Sequence, residues 1–306
     1  MNGIKIVESK NYLPKKHILN EELERKFDLE KSYLKKRTGI EKRNYISNEK
    51  IEELALKSVE KLDSSNLENI GLIIVATTST NILMPGISNY IQKKIGLKKC
   101  ICLDILAGCS GYINALDIAK MYIQSGKVNK ALIIGVDLLS KTIDKKDLDL
   151  LAVLSDGAGA IIIEKTNEEK LYYSNIVSEP DNDEILVYRT NSKMNMKGKE
   201  VYKYAVTKTV ENINKLLEIS DEKLENIKYI IPHQSNLKIM NSIANRLNID
   251  KNKMYVNIQD KGNSFCATIP IAISEMIEKN MLKSGDKIIL LGYGGGINTG
   301  SILLEI

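Results

Sequence analysis

Four short stretches of this sequence carry residue types that do chemistry, each beside glycine or proline. Cys109 sits in LAGCSGY (106–112), directly after an apolar run and at the opening of a segment with helical periodicity. A helix N-terminus offers unpaired backbone N–H groups and a partial positive charge, which favour thiolate over thiol. The expectation is a Cys109 thiol of lowered pKa, able to attack a carbonyl carbon. His233 sits in IIPHQSN (230–236), at the end of a short apolar run, where an imidazole can point from a strand end into a crevice. Histidine is the side chain suited to moving a proton or polarising a carbonyl at neutral pH. The other histidine, His17, lies in the polar stretch PKKHILN. Asn263, in DKGNSFCAT (260–268), follows a glycine and opens another helical segment. Its amide can donate a hydrogen bond to a developing enolate or oxyanion. Gly294-Gly295-Gly296, with Asn298 and Gly300 beyond, lets bare backbone N–H groups approach a ligand. The triplet lacks both the G-x-G-x-x-G spacing before a helix and the G-K-[ST] of a phosphate loop. An oxyanion hole or a tight crossing of chains is the better reading.

Taken singly, each residue has a plainer explanation. Cys109 is then a small buried thiol beside a glycine turn, His233 a satisfied structural histidine, and Asn263 a helix cap. What must position them is legible as elements. Apolar runs at Leu72–Ala76, Ile101–Leu106, Ala131–Val136, Ala160–Glu164, Tyr229–Ile231, Lys287–Leu291 and Ser301–Leu304 read as strands. They lack polar/apolar alternation, which predicts central strands covered on both faces. Residues 110–125 place Ile113, Leu116, Ala119, Tyr122 and Ile123 at helical spacing, and Gly126 stands where a glycine would end the helix. Residues 200–218, 236–247 and 264–282 give similar patterns, with Pro270 near the start of the last. Helices alternating with buried strands predict an α/β fold. The order of strands repeats, LIIVATTS–ALIIGVD–DGAGAIIIE and then YIIPHQS–KIILLGYGGG–TGSILLEI, so the chain reads as two duplicated halves. The most polar stretch, 165–200, separates them, giving halves 1–168 and 169–306. The active site is expected between them.

Composition narrows the function classes. The chain has 306 residues, 43% hydrophobic and 27% charged, which excludes wholesale disorder, collagen-like structure and a disulfide-stapled miniprotein. No apolar run reaches the ~18 residues of a membrane span, so no membrane insertion is expected. The start, MNGIKIVESK, has charges where a signal peptide needs apolar residues, and the expected location is cytoplasmic. Lys+Arg (44) and Asp+Glu (39) nearly balance at a net charge of +5, with no concentrated basic stripe. Nucleic acid is therefore not the expected partner, and a pair such as Lys145–Lys146 reads as solvated surface. Four cysteines fit a reducing compartment without structural disulfides. Cys100 and Cys102 lack a second Cys/His pair at zinc spacing and read as neighbours on one face of a buried strand, not as a metal site.

The combination is more specific than its parts. Cys109, His233, Asn263 and the glycine triplet occur in order with YLP (12–14), KRTGIEKR (36–43), LIIVATTS (72–79), DILAGCSGY (104–112), SGKVNKALIIGVDLLSKT (125–142), SDGAGA (155–160), PHQSNLKI (232–239), KGN (261–263) and YGGGINTGS (293–301). This set resembles the β-ketoacyl-acyl-carrier-protein synthase III family of the thiolase superfamily over nearly the whole chain. The resemblance implies a five-layered αβαβα thiolase-like fold and a homodimer. It implies that Cys109 takes an acyl group from a thioester, with the backbone N–H groups of Cys109 and Gly295 as oxyanion hole. His233 and Asn263 would bind the thioester carbonyl of a malonyl group and stabilise the enolate left by CO2 loss, without metal or redox cofactor. Tyr33, Arg37, Met84 and Asn236 would contact substrate, Met84 by reaching across the dimer to bound the partner's acyl pocket. Many relatives have Phe at that position, and Met fits an acyl group longer or more branched than acetyl. Lys203, Lys238 and Arg246 would form the basic patch that docks an acidic acyl carrier protein.

Three departures bear on the acyl donor. Tyr33 and Leu148 stand where the family often has the Trp and Arg that sandwich the adenine of coenzyme A. Asn298 stands where Trp is common, and the chain is shortened around 170–198. These changes fit a specialised condensing enzyme whose acyl group arrives on another carrier, with acyl-coenzyme A as the alternative donor. Two other functions stay open: an acyltransferase or thioesterase that uses acyl-Cys109 without forming a C–C bond, and a non-catalytic binding protein on this fold.

Overall fold

A computed structural model of the chain describes residues 3–189, 192 and 194–306. Nine strands build two sheets. They are β1 (Gly3–Tyr12), β2 (Leu72–Ala76), β3 (Ile101–Ile105), β4 (Lys130–Asp137), β5 (Gly157–Thr166), β6 (Tyr172–Ser178), β7 (Tyr229–Pro232), β8 (Lys287–Gly294) and β9 (Asn298–Glu305). The first sheet has the order β1-β5-β4-β2-β3 and the second β7-β8-β9-β6. In the first, β2 runs parallel to β3 and β4, placing Ile74 opposite Leu103 and Ile133. β5 runs antiparallel to β4 and β1. In the second, β7 and β8 are parallel, while β9 runs antiparallel to β8 and β6.

Six helices complete the layers: α1 (Ile51–Val59), α2 (Ile87–Lys94), α3 (Gly111–Gln124), α4 (Gly198–Ser220), α5 (Leu237–Arg246) and α6 (Thr268–Glu278). The alternation of side chains along a strand explains why the strands read as unbroken apolar runs. Ile73 and Val75 of β2 face Leu54 of α1 and Ile87 and Ile91 of α2. Leu72 and Ile74 point the other way, into a core shared with Ile113 and Leu116 of α3 and Ile269 and Ile273 of α6. The same central core takes Leu290 of β8 and Ile302 of β9. Ile289, Leu291 and Leu303 point outward onto Val206 and Ile213 of α4 and Met240 and Ile243 of α5. Both faces of each sheet therefore need apolar residues. The result is the expected five-layered αβαβα fold, with α3 and α6 as the middle layer.

That middle layer sits close to the first sheet because two strand positions lack a Cβ. A methyl at Gly135 of β4 would strike the Cys266 carbonyl oxygen, and one at Gly159 of β5 would lie 2.7 Å from Pro270 Cβ. The 263–270 segment is thereby pressed against the end of β4. Pro270 falls in the first turn of α6, as expected, and Gly126 takes the left-handed φ of 73° that ends α3.

Several expectations needed correction. The run at 101–106 is not a strand covered on both sides. β3 is a sheet edge, with Ile101 37% and the following Leu106 69% exposed. Cys100 and Cys102 do share a face, with sulfurs 3.6 Å apart, but are half-buried. Apolar composition alone does not distinguish a central strand from an edge. The segment 264–282 forms a 3₁₀ turn at Phe265–Ala267 followed by α6, which ends at Glu278, two residues before Asn280 takes a φ of 53°. β1 and β6 were not anticipated; Lys5, Glu8 and Lys10 interrupt the first, and the second lies in the polar stretch 165–200. Among the described residues, no helix is long and apolar enough to cross a membrane.

Candidate active site

Three chain reversals at the ends of β3, β7 and β8 meet at one place. After β3 the chain makes a 3₁₀ turn, Gly108–Ser110, before entering α3. Gly108 takes a φ of +59°, and a Cβ there would lie 2.7 Å from the Gly295 carbonyl oxygen. Only glycine lets this turn stack on the 294–296 loop. Gly294 lies as close on the other side, where a Cβ would be 3.0 Å from Cys109 Sγ. As a result the backbone N–H groups of Gly295 and of Cys109 itself lie near enough to Sγ to favour its charged form.

The expected lowering of the Cys109 pKa does not occur. Burial pushes the thiol well above its ordinary value, the nearby Asp137 carboxylate adds to this, and the two N–H donors offset only part of it. Cys109 is 4% exposed, so removing a thiolate from water outweighs the dipoles of the turn. The resting group is a thiol.

His233 follows Pro232 at the end of β7, and its N–H donates to Leu291 O of β8 at 2.7 Å. Its Nδ1 lies 2.7 Å from Thr268 Oγ1. The ring meets Tyr293 edge-on, with centroids 5.3 Å apart. Tyr293 OH lies 2.8 Å from Ser235 Oγ and donates to the His233 carbonyl at 3.2 Å. Burial lowers the His233 pKa from 6.5 to about 3, so the ring is neutral.

That shift has a consequence for stability. Between pH 6.5 and 3 the unfolded chain binds a proton at this position that the folded chain does not. Stability from His233 is thus complete above pH 6.5 and is lost as the pH falls, by about 1.4 kcal/mol per pH unit. Urea midpoints at pH 7, 6 and 5 should fall accordingly, and His233→Gln should flatten this part of the profile. Glu49 and Glu222, lowered from 4.5 to about 2, lose their own stabilisation only as the pH falls below about 4.5, under the pH 7 to 5 range of that measurement.

Asn263 is held by its own backbone. Its N–H donates to Val153 O and its carbonyl accepts from the Ser155 N–H, both at 2.8 Å. The side-chain Oδ1 accepts the Phe265 N–H at 3.0 Å. Asn263 is not itself the N-cap, which is Ser264, but it braces the turn at 265–267 from one residue earlier with its amide oxygen alone. The amide NH2 is left for a ligand.

Cys109, His233 and Asn263 line one cavity of about 560 Å3, together with apolar Leu154, Leu186, Met194 and Phe265. Arg37, Asn236 and Lys238 also line it. The Arg37 guanidinium is already engaged, with Asp149 at 2.7 Å and Tyr33 OH at 2.9 Å. Tyr33 itself lies outside the lining. Asn236 caps α5 by accepting the Lys238 N–H at 2.9 Å. Lys203 and Arg246 are exposed on α4 and α5, outside the lining. Met84 is 90% exposed beside Leu83 at 92% and does not reach the cavity of its own chain. Among the described residues, no group of three or more His, Cys, Asp and Glu is placed to hold a metal ion.

Sequence reasoning missed two residues that shape the site. Thr268 touches the His233 ring. Asp137, wholly buried, accepts from the Thr78 and Cys266 N–H groups and from the hydroxyls of Thr77, Thr78 and Ser79. It ties the loop after β2 to the turn after Asn263. An acidic residue closing the apolar run ALIIGV was the available signal.

The site thus holds a sulfur with two backbone donors, and a second pair of side chains suited to an oxygen elsewhere in the same cavity. Residues 103–180 match the family model described as 3-oxoacyl-[acyl-carrier-protein] synthase III, and residues 217–306 match that of its C-terminal part. The chain is 36% identical to the β-ketoacyl-[acyl-carrier-protein] synthase III of Clostridium acetobutylicum, over 100% of this chain and 99% of the relative. It is also 36% identical to the enzyme of that name from Aquifex aeolicus, covering 99% of both. The crystal structure of 3-oxoacyl-[acyl-carrier-protein] synthase III from Aquifex aeolicus superposes with a TM-score of 0.94, covering 99% of this chain and 100% of that one.

Proposed function

The chain belongs to the 3-oxoacyl-[acyl-carrier-protein] synthase III family, and we propose that Cys109, His233 and Asn263 divide its reaction between them. The enzyme is an acyltransferase of fatty-acid synthesis. It joins an acyl thioester to malonyl-acyl-carrier protein with loss of CO2, giving a β-ketoacyl product.

In the first step Cys109 Sγ attacks the acyl thioester. A C–S bond to Cys109 forms, the C–S bond to the donor breaks, and the Cys109 proton ends on the departing thiol. Oxygen negative charge in this step falls to the N–H groups of Cys109 and Gly295. In the second, malonyl thioester loses CO2, and its electron pair becomes an enolate whose oxygen accepts from His233 and Asn263. The enolate carbon then attacks acyl-Cys109. A C–C bond forms, and the sulfur leaves and takes a proton from solvent. Negative charge appears on oxygen in both steps, at different places, so two donor sets are needed. The presence of two such sets around one cavity is the observation that carries this reading. The chemistry transfers no net electrons and calls for no metal or redox cofactor.

The remaining assignments follow from position. Lys238 at the cavity, with Arg246 at the other end of the same helix and Lys203 on the neighbouring α4, suits an acidic carrier protein. Exposed Leu83, Met84 and Leu106 beside edge strand β3 suit a homodimer in which Met84 bounds the partner's acyl pocket. Residues 1–168 and 169–306 are read as its two duplicated halves, and the enzyme as cytoplasmic. Asn236 and Tyr33 flank the substrate path. Asp149 pairs with Arg37 and Leu148 offers no cation to an adenine, which suits an acyl group arriving on another carrier, with acyl-coenzyme A as the alternative donor.

Intact-protein mass spectrometry tests this. The protein is incubated with acyl-coenzyme A and acyl-carrier thioesters, then with malonyl-carrier protein. An acyl mass that malonyl-carrier discharges into a β-keto product is the expected result and names the donor. An acyl mass that malonyl-carrier cannot discharge, but water or an alcohol can, would replace condensation by simple acyl transfer.

A further inference from the structure

The geometry around His233 points to a positioning residue for the condensation: we propose that Thr268 sets the tautomer of His233 by donating its hydroxyl proton to Nδ1. The inference rests on the reading of His233 as a donor to the malonyl thioester carbonyl. A neutral imidazole carries one N–H, and a carbonyl oxygen can only accept. His233 therefore serves the enolate only if the proton is on Nε2, which requires Nδ1 to be bare and to find a donor inside the protein. His233 is 1% exposed, so water does not supply it. Thr268 Oγ1, 2.7 Å away and itself buried, is positioned to do so.

The hydroxyl has a competing acceptor, the Phe265 carbonyl at 2.9 Å. If the hydroxyl turned there, Nδ1 would have to carry the proton and Nε2 would face the substrate as an acceptor. Both arrangements leave the buried groups paired, since in the alternative Nδ1–H would donate to Oγ1 while Oγ1 donates to Phe265 O. Turning the hydroxyl to Nδ1 orphans nothing, because Phe265 O already accepts the Thr268 backbone N–H that closes the 3₁₀ turn. The reaction decides between them: only the arrangement with the hydroxyl on Nδ1 leaves an N–H on Nε2 for the enolate oxygen. The lowered pKa of His233 is consistent with a neutral ring whose single proton must be placed. Asn263 is prepared by the same device: Oδ1 is held by the Phe265 N–H, leaving the NH2 outward. One short segment, 263–268, thus orients both enolate donors.

Only two histidines are present, so ¹⁵N-histidine NMR of the whole protein reports the tautomer directly. Wild type and Thr268→Ser should show the His233 proton on Nε2. Thr268→Val, which replaces the hydroxyl with a methyl of similar size, should shift it in part or wholly to Nδ1. Malonyl-thioester decarboxylation by Thr268→Val should fall about ten- to a hundredfold, while the acyl mass on Cys109 still accumulates and Thr268→Ser keeps both reactions. A wild-type proton on Nδ1, or an unchanged tautomer in Thr268→Val, would overturn the inference. So would an equal loss of acylation and decarboxylation, which would make Thr268 merely structural. Failure of the wild type to condense would remove the proposed function, while the tautomer measurement would still decide the role of Thr268.

Discussion

Cys109→Ala should leave no acyl mass on the protein and lower β-ketoacyl product formation by roughly four orders of magnitude or more, the scale seen when a covalent nucleophile is removed. The substitution creates little strain. Gly294 and Gly108 already bring the 294–296 loop against the 108–110 turn, and alanine keeps the Cβ that packs there. The informative part is what survives. The enolate donors, His233 and Asn263, hang on the turns after β7 and before α6, and neither is bonded to the thiol. Cys109→Ala should therefore still decarboxylate malonyl thioester, releasing an acetyl thioester in place of a condensed product. Both rates can be read from one mass-spectrometric time course. Loss of decarboxylation together with acylation would mean that the two donor sets are not separable.

The second large effect is the converse. In Asn263→Asp the side chain keeps its shape, and one carboxylate oxygen still accepts the Phe265 N–H that Oδ1 accepts now. The outward NH2 becomes an oxygen with negative charge, placed where the enolate oxygen would build up. Decarboxylative condensation should fall by roughly 10²–10³, the cost of losing one donor to a developing oxyanion. Acylation of Cys109, whose oxyanion is held by backbone N–H groups, should change less than about tenfold. An equal fall in both half-reactions would count against the assignment of Asn263 to the enolate.

Much of the machinery was legible because it is local. A strand running into LAGCSGY, a strand ending at PHQSN and a glycine triplet between two strands are patterns of φ, ψ and spacing, and they lie within a few residues of the groups they position. Strands apolar on both faces predicted an α/β fold, and the five layers came from the family resemblance. Other features had no local signal. Ile101–Leu106 reads like a core strand, yet among the described residues no strand pairs beyond β3, which makes it an edge. β6 was hidden in a polar stretch because its pairing with β9 crosses about 120 residues, as in Ser178 opposite Asn298.

The clearest contrast is at the nucleophile. Local spacing alone places Cys109 at the start of a helix, with a histidine, an asparagine and a glycine loop available elsewhere in the chain. From that position alone its thiol pKa should fall. Tertiary structure reversed the direction, because desolvation and the charge of Asp137 depend on what packs around the sulfur from residues far away in the chain. The same holds for His233. Its type and strand-end position are sequence facts, but the nitrogen that carries its proton depends on Thr268, 35 residues further on. Residue type and local spacing settle which groups can do chemistry. Burial and long-range pairing settle their charge and the direction of their hydrogen bonds, since both depend on the water that folding removes.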